Sequence, residues 1–253
     1  MRYFNMGWIS EKAISQFQEI IDNAKHIVFF WWAWVSTESW IPDFRSKDGL
    51  YNQHDIQFDA YQPEYLLSNA CLYEESEVFF EYYRQKLDCR NIKPNITHKK
   101  LADWEMQWRN ICIITQNIDG LHQKAWSKRV LEIHGTTQRV YCDKCWKQFN
   151  PDILYTSKER VPHCSCWGML RPDVTLYWEQ LPSNAWNESI SALQNADLLI
   201  LWGTSLAVYP ANSLIHFFRG RHFVIINKDA TPQDNYAELV FHNKLWEVFT
   251  KIS

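Results

Sequence analysis

Short runs of consecutive apolar residues recur along the chain, and polar residues follow most of them. Such runs are typical of strands that are buried on both faces of a sheet. They are HIVFF (26–30), ICIIT (111–115), VLEIHG (130–135), ADLLILW (196–202) and RHFVIIN (221–227). Each run is much too short for a membrane-spanning helix, so together they predict the central strands of a folded domain.

The segments between these runs have a helical pattern. In residues 9–25 the apolar side chains fall near one face of a helix, and residues 36–100 are mostly helical, with aromatic residues at helical spacing. Residues 207–219 predict another helix, and residues 237–252 predict a short strand and a closing helix. Buried strands that alternate with helices predict an α/β fold, a parallel sheet with helices on both faces.

Polar side chains follow the predicted strands. They are Gln116, Asn117, Asp119 and His122 after the second strand, His134 at the end of the third, residues 203–210 (GTSLAVYP) after the fourth and Asn227 at the end of the fifth. Each alone has an ordinary alternative, because Asn and Asp are common in turns and a single His is more often structural than catalytic. Together they meet at the sheet edge where this fold class binds ligands, so they predict a ligand site there.

Four of the seven cysteines form two close pairs. Cys142 and Cys145 make CDKC, and Cys164 and Cys166 make CSC. Two pairs at this separation are typical of a zinc ribbon, whose four thiolates leave no open coordination position, so the metal would be structural. The second pair is tighter than usual, which keeps His163 as a substitute ligand. The alternative of ordinary core cysteines suits this polar segment poorly.

Composition and charge exclude several classes of protein. A net charge of -3 argues against a dedicated nucleic-acid or membrane binder. No stretch has the length of a membrane span, and residues 1–20 lack the apolar core and cleavage site of a secretory signal. We therefore expect a cytoplasmic protein with reduced thiols. The 253 residues suffice for one large domain that carries an insertion.

In chain order, the motifs resemble those of the sirtuins, a family of NAD-dependent protein-lysine deacylases. They are STES-IPDFRS (36–46), TQNIDGLHQKA (115–125), EIHGT (132–136), CDKC with CSC, RPDVTLY-E (171–179) and GTSLAVYPA (203–211). The resemblance covers nearly the whole chain. It implies a Rossmann-like large domain over 1–35, 101–136 and 174–253, a helical insertion with the cofactor-binding loop over 36–100, and a zinc-ribbon small domain over 137–173.

The resemblance also implies roles for individual residues. NAD and an acyl-lysine peptide would enter a cleft from opposite sides, with His134 as general base, a task that imidazole suits near neutral pH. The implied NAD-binding residues are Ala33, Phe44, Arg45, Gln116, Asn117, Asp119, Gly203, Thr204, Ser205 and Asn227. Val174 and Leu176 would lie on the segment that pairs with the peptide as an added strand. The chain lacks a clear Tyr–Arg pair for acidic acyl groups, so deacetylation is the expected reaction.

Tryptophan stands at many positions where the family pattern has glycine. The chain has 7 Gly and 14 Trp, whereas ordinary usage predicts about 18 Gly at this length. After the first strand the family has T-G-A-G where this chain has Trp31-Trp32-Ala33-Trp34, and its later ESGIPDFR has Trp40 in place of glycine. The other positions of this kind are Trp108, Trp126, Trp146, Trp167, Trp178, Trp202 and Trp246.

These indoles predict an impaired cofactor site. A glycine-rich turn allows backbone N–H groups to approach a pyrophosphate and adopts φ > 0 readily. Indoles at positions 31, 32, 34 and 40 would occupy that space. We therefore expect an NAD-dependent deacetylase with severely impaired activity. Two alternatives stay open: a non-catalytic zinc-bearing scaffold that still binds acyl-lysine peptide, and an NAD-dependent ADP-ribosyltransferase.

Overall fold

A computed structural model describes residues 9–31, 39, 41, 49–107, 110–202 and 210–253. Its strands are β1 (His26–Trp31), β2 (Asn110–Thr115), β3 (Val130–Glu132), β4 (Gly135–Cys142), β5 (Gln148–Phe149), β6 (Leu170–Val174), β7 (Leu198–Trp202), β8 (His222–Ile226) and β9 (Leu239–Phe241). Its α-helices are α1 (Glu11–Asn23), α2 (Pro63–Leu66), α3 (Asn69–Glu74), α4 (Ser76–Lys86), α5 (Ile96–Met106), α6 (Leu121–Lys124), α7 (Ile153–Thr156), α8 (Ser183–Asn195) and α9 (Leu245–Phe249). Shorter 3-10 helices lie at Leu50–Asn52, Ala211–Phe217 and Pro232–Tyr236.

The larger sheet has six strands in the order β3-β2-β1-β7-β8-β9, and every neighbouring pair is parallel. All five predicted strands are therefore confirmed, although β3 ends at Glu132, before His134. The predicted short strand near the C-terminus is β9. Side chains alternate between the two faces of the sheet, so Phe29 and Phe30 enter different clusters of buried residues.

Helices cover both faces of this sheet, as the sequence pattern predicts. Helices α1, α5 and α9 pack on one face, and α8 with the 3-10 helix Ala211–Phe217 packs on the other. Helix α1 begins after Ser10, whose hydroxyl accepts a hydrogen bond from the Ala13 N–H. The helix predicted over 207–219 is the 3-10 helix, and residues 207–209 lie outside the described part of the chain.

The smaller sheet is antiparallel, in the order β5-β4-β6. Its buried residues share one cluster with α2, α3 and α4, so the predicted helical insertion and zinc ribbon pack against each other. Helix α5 crosses the boundary predicted at residue 100 and packs on the larger sheet through Leu101 and Trp104. The domain limits themselves stay a prediction. Within the described residues, no helix combines the length and hydropathy required to cross a bilayer.

Candidate functional site

The order of the parallel strands reverses between β1 and β7. Strands β2 and β3 lie on one side of β1, whereas β7, β8 and β9 lie on the other. In open α/β sheets, ligands bind beyond the carboxyl ends of the strands at such a reversal. Trp31 and Trp202 are the last residues of β1 and β7 and are paired in register. The edge of the sheet predicted to bind the cofactor is thus bordered by two tryptophans.

Much of the predicted cofactor loop lies outside the described residues. The predicted positions concerned are Trp32, Ala33, Trp34, Trp40, Phe44, Arg45, Trp108, Gly203, Thr204 and Ser205. Their roles, and the prediction that indoles close this loop, rest on the sequence alone.

The indole of Trp31 lies in the core. It is 1% exposed and stacks on Trp202 with ring centroids 6.2 Å apart. The rings of His122 at 4.7 Å and His98 at 5.6 Å lie edge-to-face against it. Trp31 was predicted to occupy the phosphate space; in the structure it instead packs with the buried residues on the α1, α5 and α9 side of the sheet.

Two buried histidines adjoin Trp31. His98 lies in the first turn of α5, where its Nδ1 contacts the N-cap Asn95 Oδ1 at 2.8 Å. Burial lowers the pKa of His98 to about 3, and burial together with the neighbouring His98 lowers the pKa of His122 well below its usual value. Neither ring nitrogen of His122 has a hydrogen-bond partner among the described residues. His122, which the sequence places in a polar cluster, is thus a neutral core residue.

A cavity of about 600 Å³ lies beside the carboxyl ends of the strands. Segments 174–181, 116–118 and the N-terminal part of α8 contribute to its wall, together with residues of the helical insertion. Five predicted site residues line it: Gln116, Asn117, His134, Val174 and Leu176. The structure therefore brings together the predicted base, two predicted cofactor residues and the predicted peptide segment.

His134 is held by backbone contacts on both sides. Its Nδ1 lies 3.2 Å from the Gln116 carbonyl oxygen, and its own carbonyl accepts a hydrogen bond from Thr175 N–H at 2.9 Å. A carbonyl only accepts, so the proton is assigned to Nδ1 and Nε2 carries the lone pair that a general base requires. The next residue, Gly135, has φ +75°, and a Cβ there would overlap the backbone of Asp173. Only glycine suits that position.

Gln116 presents polar atoms that the described protein leaves unsatisfied. Both atoms of its side-chain amide are buried without a hydrogen-bond partner among the described residues, and the residue lines the cavity. Buried polar groups are nearly always paired, and because these two atoms are closed to water, a polar ligand in the cavity would reach them only after the Gln116 side chain turns towards it. Hydroxyl groups of a ribose would satisfy both an amide N–H and an amide oxygen, and this part of the site therefore fits NAD.

Two predicted cofactor residues lie outside the cavity wall. Asp119 accepts one hydrogen bond from Leu121 N–H at the start of α6 and another from the Asn117 side chain at 3.3 Å. It therefore reaches the cavity only through Asn117, which lines it. Asn227 follows β8, and its side-chain amide donates to the Asp229 carbonyl. Both lie at the predicted edge of the sheet.

The four paired cysteines form one cluster. Their sulfur atoms all lie within 4.8 Å of one another, with Cys142 and Cys166 3.5 Å apart and Cys145 and Cys164 3.8 Å apart. The backbone N–H of Cys166 lowers the pKa of the Cys164 thiol to about 6, which favours the thiolate that binds metal. This donor set fits a structural zinc ion. His163 is not part of the cluster and faces Glu159 instead.

Four tryptophans have a left-handed backbone. Trp126, Trp146, Trp167 and Trp178 have φ between 61° and 76° and are the only non-glycine residues with positive φ in the described ranges. Each is between 71% and 86% exposed. The sequence predicts all four as positions where the family has glycine, and glycine is the residue that adopts this conformation without strain.

Hydrogen bonds show why the backbone turns at two of these positions. After α6, Ser127 N–H donates to the His122 carbonyl and Trp126 N–H donates to the Gln123 carbonyl. These two bonds form a Schellman motif, in which the residue at the position of Trp126 is usually glycine. Glu179 N–H donates to the Leu176 carbonyl at 3.0 Å, which makes Trp178 the third residue of a tight turn. A positive φ at that position favours glycine or asparagine.

The sequence pattern did not identify several residues of the cavity wall. Tyr51, Leu67, Tyr83 and Trp186 line it from the helical segments. Their aromatic and aliphatic character is equally typical of core residues, so spacing alone carries no signal that they border a cavity.

The chain is an α/β protein of the doubly wound class. Its parallel sheet has a cavity at the strand reversal and is joined to a small ribbon with four clustered cysteines. The Sir2 family model matches residues 33–210. A Clostridium tetani protein named NAD-dependent protein deacetylase is 45% identical over 232 residues, which cover 91% of this chain and 93% of that protein. A Cutibacterium acnes protein of the same name is 47% identical over 233 residues, covering 92% and 94%.

Solved structures agree with these relatives. A Sir2 structure with a p53 peptide and NAD+ has a TM-score of 0.81 and 32% identity, and the match covers 94% of this chain and 96% of that one. The chain therefore belongs to the Sir2 family, which confirms the resemblance found in its motifs.

Proposed function

We propose that the chain is an NAD-dependent protein-lysine deacetylase whose turnover is severely reduced by its tryptophans. The observation that carries this proposal is the cavity that joins His134 and Gln116 to the segment 174–179. One wall offers a base and amide groups for a nucleotide sugar, and another offers the segment 174–179, which ends in a tight turn, for a peptide. The relatives' names and a neighbouring structure with acetylated peptide support the same substrates.

The residues present have distinct tasks in this proposal. His134 takes a proton from a ribose hydroxyl at Nε2, while its Nδ1 proton stays with the Gln116 carbonyl. Gln116 binds hydroxyl groups through its side-chain amide, and Asn117 is oriented by Asp119. When bound, NAD supplies the electrophilic carbon and nicotinamide as the leaving group. The zinc ribbon has a structural role, and a cytoplasmic location would keep its thiols reduced.

The peptide site has an apolar lining. Leu67, Ile118 and Leu176 contribute to the cavity wall, which suits the methyl group of an acetyl-lysine and the stem of its side chain. An acetylated lysine is therefore the acyl substrate that we propose.

Nicotinamide release from NAD in the presence of an acetyl-lysine peptide tests this function. We expect slow release by the unaltered chain, loss of that release in His134→Ala, and a rise of at least about tenfold in a variant with glycine at positions 32, 34 and 40. Release without peptide would favour the ADP-ribosyltransferase alternative. Equal rates for the unaltered chain and the glycine variant would overturn the proposed impairment.

The cavity also supports the second candidate, a scaffold that binds acyl-lysine peptide without turnover. Residues 174–179 line the cavity, and the resemblance assigns this segment to the peptide rather than to NAD. Peptide binding without NAD, combined with no nicotinamide release even in the glycine variant, would identify this candidate.

A further inference from the structure

A buried ion pair lies behind the peptide segment. Arg171, on β6, donates from both terminal nitrogens to the two carboxylate oxygens of Glu179, each at 2.9 Å. The side chains are 8% and 19% exposed. Arg171 also lies 3.4 Å from the Val174 carbonyl oxygen. The ion pair thus links Arg171, which precedes segment 174–179, to Glu179, the last residue of that segment.

The carboxylate of Glu179 has two further donors. One is the N–H of Leu176 at 2.9 Å, and the other is the side-chain amide of Asn69 at 2.8 Å. Burial alone would raise the pKa of Glu179, but the hydrogen bonds from Arg171 and Leu176 outweigh burial, and the pKa lies below its usual value. The carboxylate is therefore ionised at neutral pH and fully engaged.

These contacts fix the shape of residues 174–179. The Leu176 N–H is bound by the carboxylate of Glu179, and the Leu176 carbonyl is bound by the Glu179 N–H, which closes the turn. On the outer edge, Tyr177 exchanges backbone hydrogen bonds with Leu67 and Asn69 of the helical insertion. The same segment lines the cavity. The ion pair thus contacts, at both ends, the segment that forms one cavity wall.

We propose that Arg171 and Glu179 are positioning residues that hold segment 174–179 in the shape that binds the acyl-lysine peptide, with Asn69 coupling this segment to the helical insertion. The identity of the ligand rests on the proposed function. The positioning itself rests on the contacts of the described chain. Removing one partner leaves the other charge buried without its counterion, which is far less favourable than removing an exposed pair.

Two measurements on Glu179→Gln test the proposal. Hydrogen exchange at the Leu176 and Tyr177 amides reports whether the segment is held, and needs no ligand. The anisotropy of a fluorescent acetyl-lysine peptide, without NAD, reports binding. We expect at least about tenfold faster exchange at both amides and at least about tenfold weaker peptide binding, with zinc content unchanged. Glu179→Asp, which keeps the charge, should recover part of both effects.

A matched control is available on the surface. Glu77 pairs with Arg160 at 2.8 Å, with both side chains mostly exposed, so Glu77→Gln makes the same chemical change and should alter neither measurement. If Glu179→Gln proves too unstable, Asn69→Ala removes a single hydrogen bond to the carboxylate, and we expect an effect of about threefold in the same direction.

The outcomes separate the positioning from the function. Unchanged exchange, or unchanged peptide affinity, in a folded Glu179→Gln protein would overturn the proposal. If the unaltered chain fails to bind the acetyl-lysine peptide, the proposed function is wrong on its peptide side, while faster exchange in Glu179→Gln would still support the positioning of the segment.

Discussion

The tryptophans at the strand ends and those in the turns contrast sharply. Trp31 and Trp202 continue regular strands and are at most 4% exposed. Trp126 and Trp178 have φ of 76° and 67° and are largely exposed. The same side chain thus packs against neighbours in one setting and strains the backbone in the other. The effect of an indole on stability depends on the φ of its residue and on what surrounds it.

The largest effect that we predict is at Trp31. Trp31→Ala should lower the free energy of unfolding by roughly 3–5 kcal/mol, because it leaves a cavity among Trp202, His98 and His122. Urea unfolding followed by circular dichroism measures this. Trp246→Ala is the control, with a smaller expected loss because Trp246 is 43% exposed. An unchanged or increased free energy of unfolding in Trp31→Ala would show that the buried indole does not stabilise the core.

The second prediction concerns acid. His98 and His122 have folded-state pKa values below the unfolded value, so the unfolded chain binds more protons below about pH 6.5. The contribution of these two histidines to the free energy of unfolding is therefore fully present above that pH. It decreases as the pH falls towards their folded-state pKa values. The slope for these two groups is at most about 2.7 kcal/mol per pH unit, so we expect a loss of about 2–3 kcal/mol by pH 5.5.

Urea unfolding between pH 7.5 and 5.5 measures this loss, and His98→Asn should flatten the dependence by about half. A dependence that His98→Asn and His122→Asn leave unchanged would mean that other groups cause the acid sensitivity.

The third prediction is that removing an indole from a turn stabilises the protein, whereas removing Trp31 destabilises it. Trp126→Gly should raise the free energy of unfolding by about 1–2 kcal/mol, because relief of a strained left-handed residue exceeds the entropic cost of glycine. Trp178→Gly should behave alike. Trp186→Gly, inside α8, is the matched control and should destabilise the protein. A loss of stability in Trp126→Gly would remove the contrast between the two settings.

The smallest effect that we predict concerns the metal. Trp146 and Trp167 follow the second cysteine of each pair and have φ of 61° and 65°. Replacing both with glycine should tighten zinc binding by a few-fold. The metal-bound turns require a left-handed backbone at these two positions, and glycine adopts it without strain, so the zinc-bound state becomes more favourable. Competition with a chromogenic chelator measures the affinity, and weaker binding in the glycine variant would contradict the prediction.

Periodicity predicted the strands well because consecutive apolar residues leave few alternatives to a buried strand. It also placed Gln116, Asn117 and His134 at one edge, since parallel strands share a carboxyl end. It could not predict that His122 faces the core, because a His in the first turn of a helix can face either the core or solvent. Trp31 packs against His98, which is distant in sequence, and the Arg171–Glu179 pair depends on the turn at residues 176–179, which the apolar pattern does not predict.

We propose that a Sir2-family site persists in this chain and that the indoles predicted at positions 32, 34 and 40 hinder NAD binding. Calorimetric titration of NAD into the chain tests it directly, compared with a variant carrying Trp32→Gly, Trp34→Gly and Trp40→Gly and retaining Trp31, which is buried in the core. We predict no binding to the unaltered chain at micromolar NAD and clear binding to the variant. Micromolar binding of NAD by the unaltered chain would contradict it.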